Sequence, residues 1–400
     1  MIKIGNLEID KFYLGDTSDA KIYLGNVKVW PKEEEEPGTY PYAFKRVSRG
    51  GSAYTVDCNS TSSNTIGSSD SQSGLTNTEI GGSTSNNTPV SVVFGDCCKT
   101  ISSGACSGWT YLTSVTISDN VTSLGESAFY NTLRIEHLKI GSGITQIPTY
   151  AFDNTSISAS TKLDLDLSAN VGLNVGEFGF QYCYFNNMIF PNNCTLSSNS
   201  FYYCSASTLS FGSGTIISKV GTYTSTFDGS TILNIDLNGV TLIGDNTFYG
   251  ASGFTSITIP PSVTTFGSRV FNNFSGLNSV TIDYASTATL GRNQFSGSSI
   301  TSLTIDYNPT SIGEGMFRTC TGLTSLVIPS NISSIKGYAF DGCSGLTSIT
   351  VHSVTPPTLG YGAFNSTNDC PIYVPPESVN AYKAASGWSS YASRIQAIPT

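Results

Sequence analysis

The sequence predicts a mainly-β repeat solenoid, and three observations carry that prediction. One unit is written several times: LTSVTISDNVTSLGESAF (112–129), FTSITIPPSVTTFGSRVF (254–271) and LTSLVIPSNISSIKGYAF (323–340). An aromatic residue closes each unit, at Phe129, Phe152, Phe180, Phe201, Phe227, Phe248 and onward to Phe364. Cys106 holds the same place one unit earlier, and the mean step is about 23 residues, the length of one short supersecondary unit. Charged residues make up only 12% of the chain, against about 25% in ordinary soluble proteins. Ser and Thr fill the places where charges would stand, as expected when a polar strand face is repeated many times.

The elements follow in chain order. In residues 1–30, IGNLEI (4–9) is echoed by LGNVKV (24–29), and FYLGD (12–16) by IYLGN (22–26). Short apolar runs joined at Gly-Asn and Gly-Asp signals predict a small β-meander ending at Trp30. So short a segment buries too little apolar surface to fold alone. Its Ile4, Leu7, Ile9, Tyr13, Leu14, Tyr23, Leu24, Val27, Val29 and Trp30 are therefore expected to order against a partner as an anchor. Residues 31–39, with the run PKEEEEPG, read as an acidic, self-repelling linker. Residues 40–88 read as an N-terminal cap. YAFKRVSRGGSAYTV (42–56) alternates as strands do, whereas 58–88 holds only Ile66, Leu75 and Ile80 as strong aliphatics, so disorder is the alternative there.

Residues 89–374 are the array, about twelve coils running from Val92-Val93-Phe94 to Ile372-Tyr373-Val374. In each coil a short strand such as Val115-Thr116-Ile117 or Leu326-Val327-Ile328 turns two side chains inward. A turn, often with proline as in Ile259-Pro260-Pro261, leads to a return segment packed by residues such as Leu124 and Phe129. Gly125, Gly244, Gly267 and Gly313 are expected to permit the tight corner. One coil cannot bury its apolar residues alone, so the coils must stack and share a core. Residues 375–400 read as a helical cap: Val379, Tyr382, Trp388, Tyr391 and Ile395 recur at near-helical spacing after Pro375 and Pro376, with Ser378 as N-cap.

The repeated skeleton resembles the BspA-like leucine-rich repeats, whose unit reads much like TSITIPxxVTSIGxxAFxGCSxL. That resemblance covers about 89–374 and implies the fold rather than a chemistry. The tail after Pro375 is similar to the one that commonly ends such proteins. The opening segment resembles the N-terminal part of virion proteins from phages of gut Bacteroidales, in which a K-I-Y-L-G-x-x-x-V-W element, here Lys21 to Trp30, precedes a variable distal domain.

Composition excludes several classes of function. A net charge of −9 opposes nucleic-acid binding, which needs clustered Lys and Arg. No run of about 18 apolar residues exists to span a membrane. The opening MIKIGNLEID lacks a basic segment followed by an apolar one, so no secretory signal is expected. Chemistry is equally sparse. The two histidines, His137 and His352, read as solvated strand residues, and no phosphate loop, zinc-protease or serine-elbow motif occurs. No cofactor and no metal are expected. The ten cysteines show no C-x-x-C pair. Cys183, Cys204, Cys320 and Cys343 each fall three residues after a repeat Phe, which marks one small buried slot in different coils. Cys320 and Cys343 lie in adjacent coils, close enough for oxidation to be conceivable.

Three sets of residues remain. Asp164 and Asp166 flank Leu165 and should share an outer strand face. Asp283-Tyr284 and Asp306-Tyr307 occupy matching places in consecutive coils and should stack. Either set could act as acid and base on a glycan, although a solvated face is the simpler reading. The hydroxyl ladder Ser114/Thr116, Ser256/Thr258, Ser279/Thr281 and Ser302/Thr304 is interrupted by Glu136, His137, Lys139, Asp164, Asp166, Asn234 and Asp236, which form the candidate binding face. The expected protein is a non-enzymatic phage fibre or decoration subunit at the virion surface. It would join other virion proteins through 1–30, bind host carbohydrate or protein with its rod, and leave room for a homo-oligomer. A bacterial cell-surface adhesin is the alternative, and a surface-glycan depolymerase the third reading.

Overall fold

The computed structural model describes residues 90–94, 98–110, 112–155, 162–217 and 225–399, together with the backbone of short strands at 2–4, 7–9, 22–24, 27–30, 45–49, 53–57 and 65–66. The chain is a parallel β-solenoid of about 13 turns. Two parallel ladders run along it. One is built from strands of two to six residues, such as Leu112–Ile117, Leu163–Asp166, Tyr184–Ile189 and Ser325–Ile328. The other consists mostly of two-residue strands, such as Ser123–Leu124 and Ser334–Ile335. Neighbours in each ladder come from successive coils, so most pairings repeat the same register, as in Ser279↔Ser302 and Ile282↔Ile305.

The turn edge opposite these ladders is held by a third set of bonds. Phe129 N–H donates to Ala151 O at 2.8 Å, Phe271 N–H to Gln294 O at 2.6 Å and Phe340 N–H to Ala363 O at 2.9 Å. Each column Phe thus bonds to the residue before the next one. Their rings form a continuous stack: Phe129–Phe152 at 5.1 Å, Phe227–Phe248 at 5.0 Å, Phe295–Phe317 at 5.4 Å and Phe340–Phe364 at 5.8 Å, each with nearly parallel planes. All are fully or almost fully buried. The 23-residue period places them in register, and the shared column is the core that no single coil could supply.

Two residues before and two after each column Phe, most coils pass through the left-handed backbone region. Gly108, Gly250, Gly297 and Gly342 occupy such slots, and so do Asn131, Asn154, Asn246 and Asn273. A residue with a Cβ held there costs about 1–2 kcal/mol, which explains the preference for Gly and Asn. The corner glycines answer a different need. A Cβ on Gly125 would lie 2.1 Å from Ser103 N, and one on Gly267 lies 2.6 Å from Asp245 N. Neither has positive φ, so close approach of adjacent coils, rather than a special turn, selects glycine at both.

Both ends differ from the middle. The backbone of 53–57 pairs in parallel with 90–94, so the ladder begins one strand before Val92-Val93-Phe94, and 45–49 closes it antiparallel. An antiparallel outer strand ends the progression of parallel coils. At the C-terminus, Val379–Ala384 is one short α-helix between 3₁₀ turns at Pro376–Ser378 and Trp388–Arg394. The chain then returns as Ile395–Ala397, in parallel with Ile372–Val374. Tyr382, Trp388, Tyr391 and Ile395 are buried, as their spacing predicts. Trp388 lies 5.7 Å from Phe364 and donates to Pro357 O at 2.7 Å, so it terminates the aromatic column. Ser378 stands at the N-cap position but makes no side-chain capping bond, because its backbone is already helical there.

The described strands of residues 1–30 form two separate antiparallel hairpins, 2–4 with 7–9 and 22–24 with 27–30, each paired only with itself among the described residues. Ile4, Leu7, Ile9, Tyr23, Leu24, Val27, Val29 and Trp30 lie on these strands. Tyr13, Leu14, the linker 31–39 and most of 58–88 lie outside the described residues.

Candidate binding face

The sequence-predicted face residues are all exposed on the outward side of the longer-strand ladder. His137 and Lys139 alternate with buried Leu138, and register places them beside Ser114 and Thr116. Glu136 precedes them, its N–H donating to Thr113 O at 2.8 Å. Asp164 and Asp166 share one face, as the alternation of Leu163–Asp166 requires. Asn234 and Asp236 lie three coils further on. Asp166, Ile189, Ser210 and Asp236 make one transverse row, about 14 Å from end to end at the usual strand spacing. The seven residues therefore form a strip rather than one cluster.

Asp164 has a task within the fold. Its Oδ1 accepts from Asn187 N at 3.1 Å, Asn187 Nδ2 at 2.9 Å and Asn186 Nδ2 at 3.0 Å. Pairing aligns Leu163 with Phe185 but Leu165 with Met188, so two residues face one across the ladder. This is a β-bulge, and the carboxylate holds its extra residue. The signal was present in the sequence: one residue separates Leu163 from Leu165, whereas two separate Phe185 from Met188. Sequence reasoning also missed Lys162, whose Nζ reaches Ser207 Oγ at 3.1 Å across two coils. Asn234 Nδ2 meets the same segment at Ser207 O, 3.1 Å away.

The other carboxylates are similarly engaged. Asp166 Oδ1 accepts from Ser168 N at 2.9 Å, and hydrogen bonding from the Ser168 side chain first, then from this N–H, holds the carboxyl below its usual range. Asp236 makes the same turn with Asn238 N at 2.9 Å. Asp283 and Asp306 do take matching places in adjacent coils, directly after the paired Ile282 and Ile305, but the expected stacking fails at the tyrosines that follow them. Tyr284 is buried and donates to Ser311 O, whereas Tyr307 is 80% exposed. Asp283 Oδ1 is bonded by Asn308 Nδ2, and Asp306 Oδ1 by Tyr307 N. The two coils differ because the chain after Tyr284 takes a longer path to its next strand, Thr289–Leu290, than the chain after Tyr307 takes to Ser311–Ile312.

The cysteine slot acquires a physical meaning. Cys204 Sγ donates to Phe180 O at 2.7 Å, Cys320 Sγ to Phe295 O at 3.3 Å and Cys343 Sγ to Phe317 O at 3.1 Å. In other coils Ser230 and Ser298 hydroxyls make the same bond, to Phe201 O and Phe271 O. The slot selects a small donor for a buried carbonyl of the preceding coil. Cys320 and Cys343 hold free thiols, and burial pushes Cys343 up to about 12. Among the described residues no group of three or more His, Cys, Asp or Glu is placed to hold a metal ion, and no helix is long and apolar enough to cross a membrane.

Stacked 23-residue coils, a shared Phe column and a hydroxyl-rich strand face define a leucine-rich-repeat solenoid. The BspA type leucine-rich repeat region matches residues 78–169, 173–289 and 288–385, and the chain belongs to that family. Among solved structures, a leucine-rich repeat protein from Bacteroides ovatus is 20% identical, with 78% of this chain and 92% of that one covered and a TM-score of 0.35. A leucine rich cell surface protein from Faecalibacterium prausnitzii is 19% identical, covering 77% and 83%, with a TM-score of 0.32. The pneumococcal vaccine antigen PcpA is 14% identical, covering 89% and 97%, with a TM-score of 0.35. No curated protein matches the chain.

Proposed function

We propose that this protein is a non-enzymatic structural subunit of a phage particle, a fibre or decoration protein. Residues 1–30 join it to other virion proteins, and the repeat rod is displayed outward to bind a host or mucosal surface. The observation that carries the reading is the contrast between the two parts of the chain. The first 57 residues hold 17 of the 47 charges, and the remaining 343 hold 30. Among the described residues, strand 2–4 pairs with 7–9 and strand 22–24 with 27–30, and none of the four pairs with a solenoid strand, which suits a segment whose partner is another protein. The likeness of Lys21–Trp30 to phage virion segments supplies the kind of partner.

The carboxylates support the non-enzymatic part of the proposal. Each one that sequence reasoning paired is bonded to a backbone or amide N–H of its own or the next coil. Attachment through many copies on one particle would raise weak single-site binding by a factor of about 10²–10⁴. The test is a variant lacking residues 1–36, expressed in infected cells alongside the full chain. The full chain is expected in purified particles and the truncated, folded rod in the lysate. Recovery of the truncated rod in particles would overturn the anchor, and absence of the full chain from particles would favour the cell-surface adhesin.

A further inference from the structure

The left-handed slots on the turn edge hold Gly, Asn or another small residue in most coils, but three consecutive coils depart from that rule. Tyr150, Phe178, Tyr182 and Tyr203 stand there at φ 56°, 55°, 54° and 52°. Each accepts the strain that glycine would avoid; Phe178 is half-buried, and for the three tyrosines burial does not compensate. Tyr150, Tyr182 and Tyr203 are 37%, 43% and 52% exposed. Arg269 and Tyr338 share the conformation as isolated cases, each the one large side chain so placed in its coil, with the Arg318 guanidinium 5.5 Å from the Tyr338 ring centre.

The four rings and their neighbour Tyr202 make one continuous surface. Tyr150 stacks on Phe178 at 5.1 Å, and Tyr182 lies 5.9 Å from Tyr203. Tyr202 joins the two rows edge-on, 6.1 Å from Phe178, 6.1 Å from Tyr182 and 4.6 Å from Tyr203. In the next coil the equivalent slot is Gly229, where a Cβ would lie 2.8 Å from the Tyr203 ring. The bare glycine makes room for that ring. Strained, exposed side chains that the fold would discard mark a place where function holds them.

The chemistry of the strip selects its occupant. The turn segments 148–155, 176–183, 199–204 and 225–230 contain no Lys or Arg, while Glu177 and Asp228 border the rings. An anionic polymer would be repelled. Ring C–H edges and phenol hydroxyls, with carboxylate acceptors alongside, suit an uncharged chain of hydroxyl-bearing rings. One aromatic step per coil, at 5.1 and 5.9 Å, is close to the rise of one pyranose along an extended glycan. We propose that Tyr150, Phe178, Tyr182, Tyr202 and Tyr203 form a binding strip for a neutral polysaccharide running along the solenoid axis. The proposal rests on the surface-binding reading and moves the contact from the strand face to the turn edge.

The test presents the full chain with an immobilised β-glucan, mannan and arabinogalactan, with an acidic polysaccharide and a Lys-rich peptide beside them. The wild type should bind at least one neutral polymer. The variant Tyr150→Asn, Phe178→Asn, Tyr182→Gly, Tyr203→Gly should lose binding at least tenfold, with its unfolding midpoint unchanged or raised. Tyr202→Ser, which leaves the strained slots untouched, should lose binding without a stability gain. The strand-face variant Asp166→Asn, Asp236→Asn should bind as the wild type does. The strip is overturned if no neutral polymer binds, if the four-residue variant binds within twofold of wild type, or if the Lys-rich peptide is preferred. Host-cell binding measured in parallel separates the two claims. Undiminished cell binding by the four-residue variant removes the strip alone, whereas a wild type that binds neither cells nor polymer removes the surface-binding reading as well.

Discussion

Phe295→Ala is the most informative single change in the column. Phe295 is fully buried, stacks on Phe271 at 5.1 Å and on Phe317 at 5.4 Å, and meets Phe266 edge-on at 5.7 Å. Truncating a buried Phe costs about 3–5 kcal/mol. The ring also loses stacking partners on both sides, each aromatic pair being worth about 0.5–1.5 kcal/mol, so a loss near the top of that range is expected. Phe295→Leu retains most of the volume and loses the stacking, and should cost about 1–2 kcal/mol. Thr304→Ala on the exposed strand face should cost less than about 0.5 kcal/mol. Urea unfolding followed by circular dichroism measures all three. Because stability in a solenoid is a sum of neighbouring interfaces, limited proteolysis should first cut the alanine variant near coils 271–317. A loss below about 1 kcal/mol, or cleavage with no preference for those coils, would refute the column as the element that holds the coils together.

Other expectations are independent of it. Asp153 is buried with Oδ1 unpartnered, and desolvation raises its carboxyl to about 6. The native state therefore holds this proton more tightly than the unfolded chain does, so its stability contribution is full below about pH 4 and is lost as pH rises through 6. Asp153→Asn should flatten the decline between those values, about 1–2 kcal/mol, in unfolding curves taken from pH 4 to 7. Asp119 is shifted downward chiefly by the Ser142 backbone N–H and Asp166 chiefly by the Ser168 side chain, so their contributions are lost only as pH falls below the ordinary carboxylate range. Gly342→Ala places a Cβ at φ 76°, 3.0 Å from Thr319 Cγ2, and should lower stability by about 1–2 kcal/mol. Trp388→Ala opens the end of the column beside Phe364 and should produce concentration-dependent association in size-exclusion chromatography.

The coil, its strands and the Phe column were legible in the sequence because a repeat averages away local ambiguity: eleven copies of one aromatic position leave a single register. Residues that depart from the repeat were harder to read. Asp164 looked like half of an acid–base pair because period-2 alternation places it correctly on the outer face. Its true partners, Asn186 and Asn187, follow from a one-residue length difference between neighbouring coils. Asp283 and Asp306 looked equivalent because their dipeptides match, yet chain paths of different length after them bury Tyr284 and expose Tyr307. The aromatic slots at Tyr150, Phe178, Tyr182 and Tyr203 were invisible because the sign of φ is a property of the stacked turn and not of the residue that occupies it.

Immunogold electron microscopy with an antibody against the repeat array, applied to purified phage particles and to uninfected cells, tests the central claim most directly. The account predicts gold on particles, displaced outward from the point where residues 1–30 attach, and none on uninfected cells. Labelling of the uninfected cell surface, with bare particles, would contradict it.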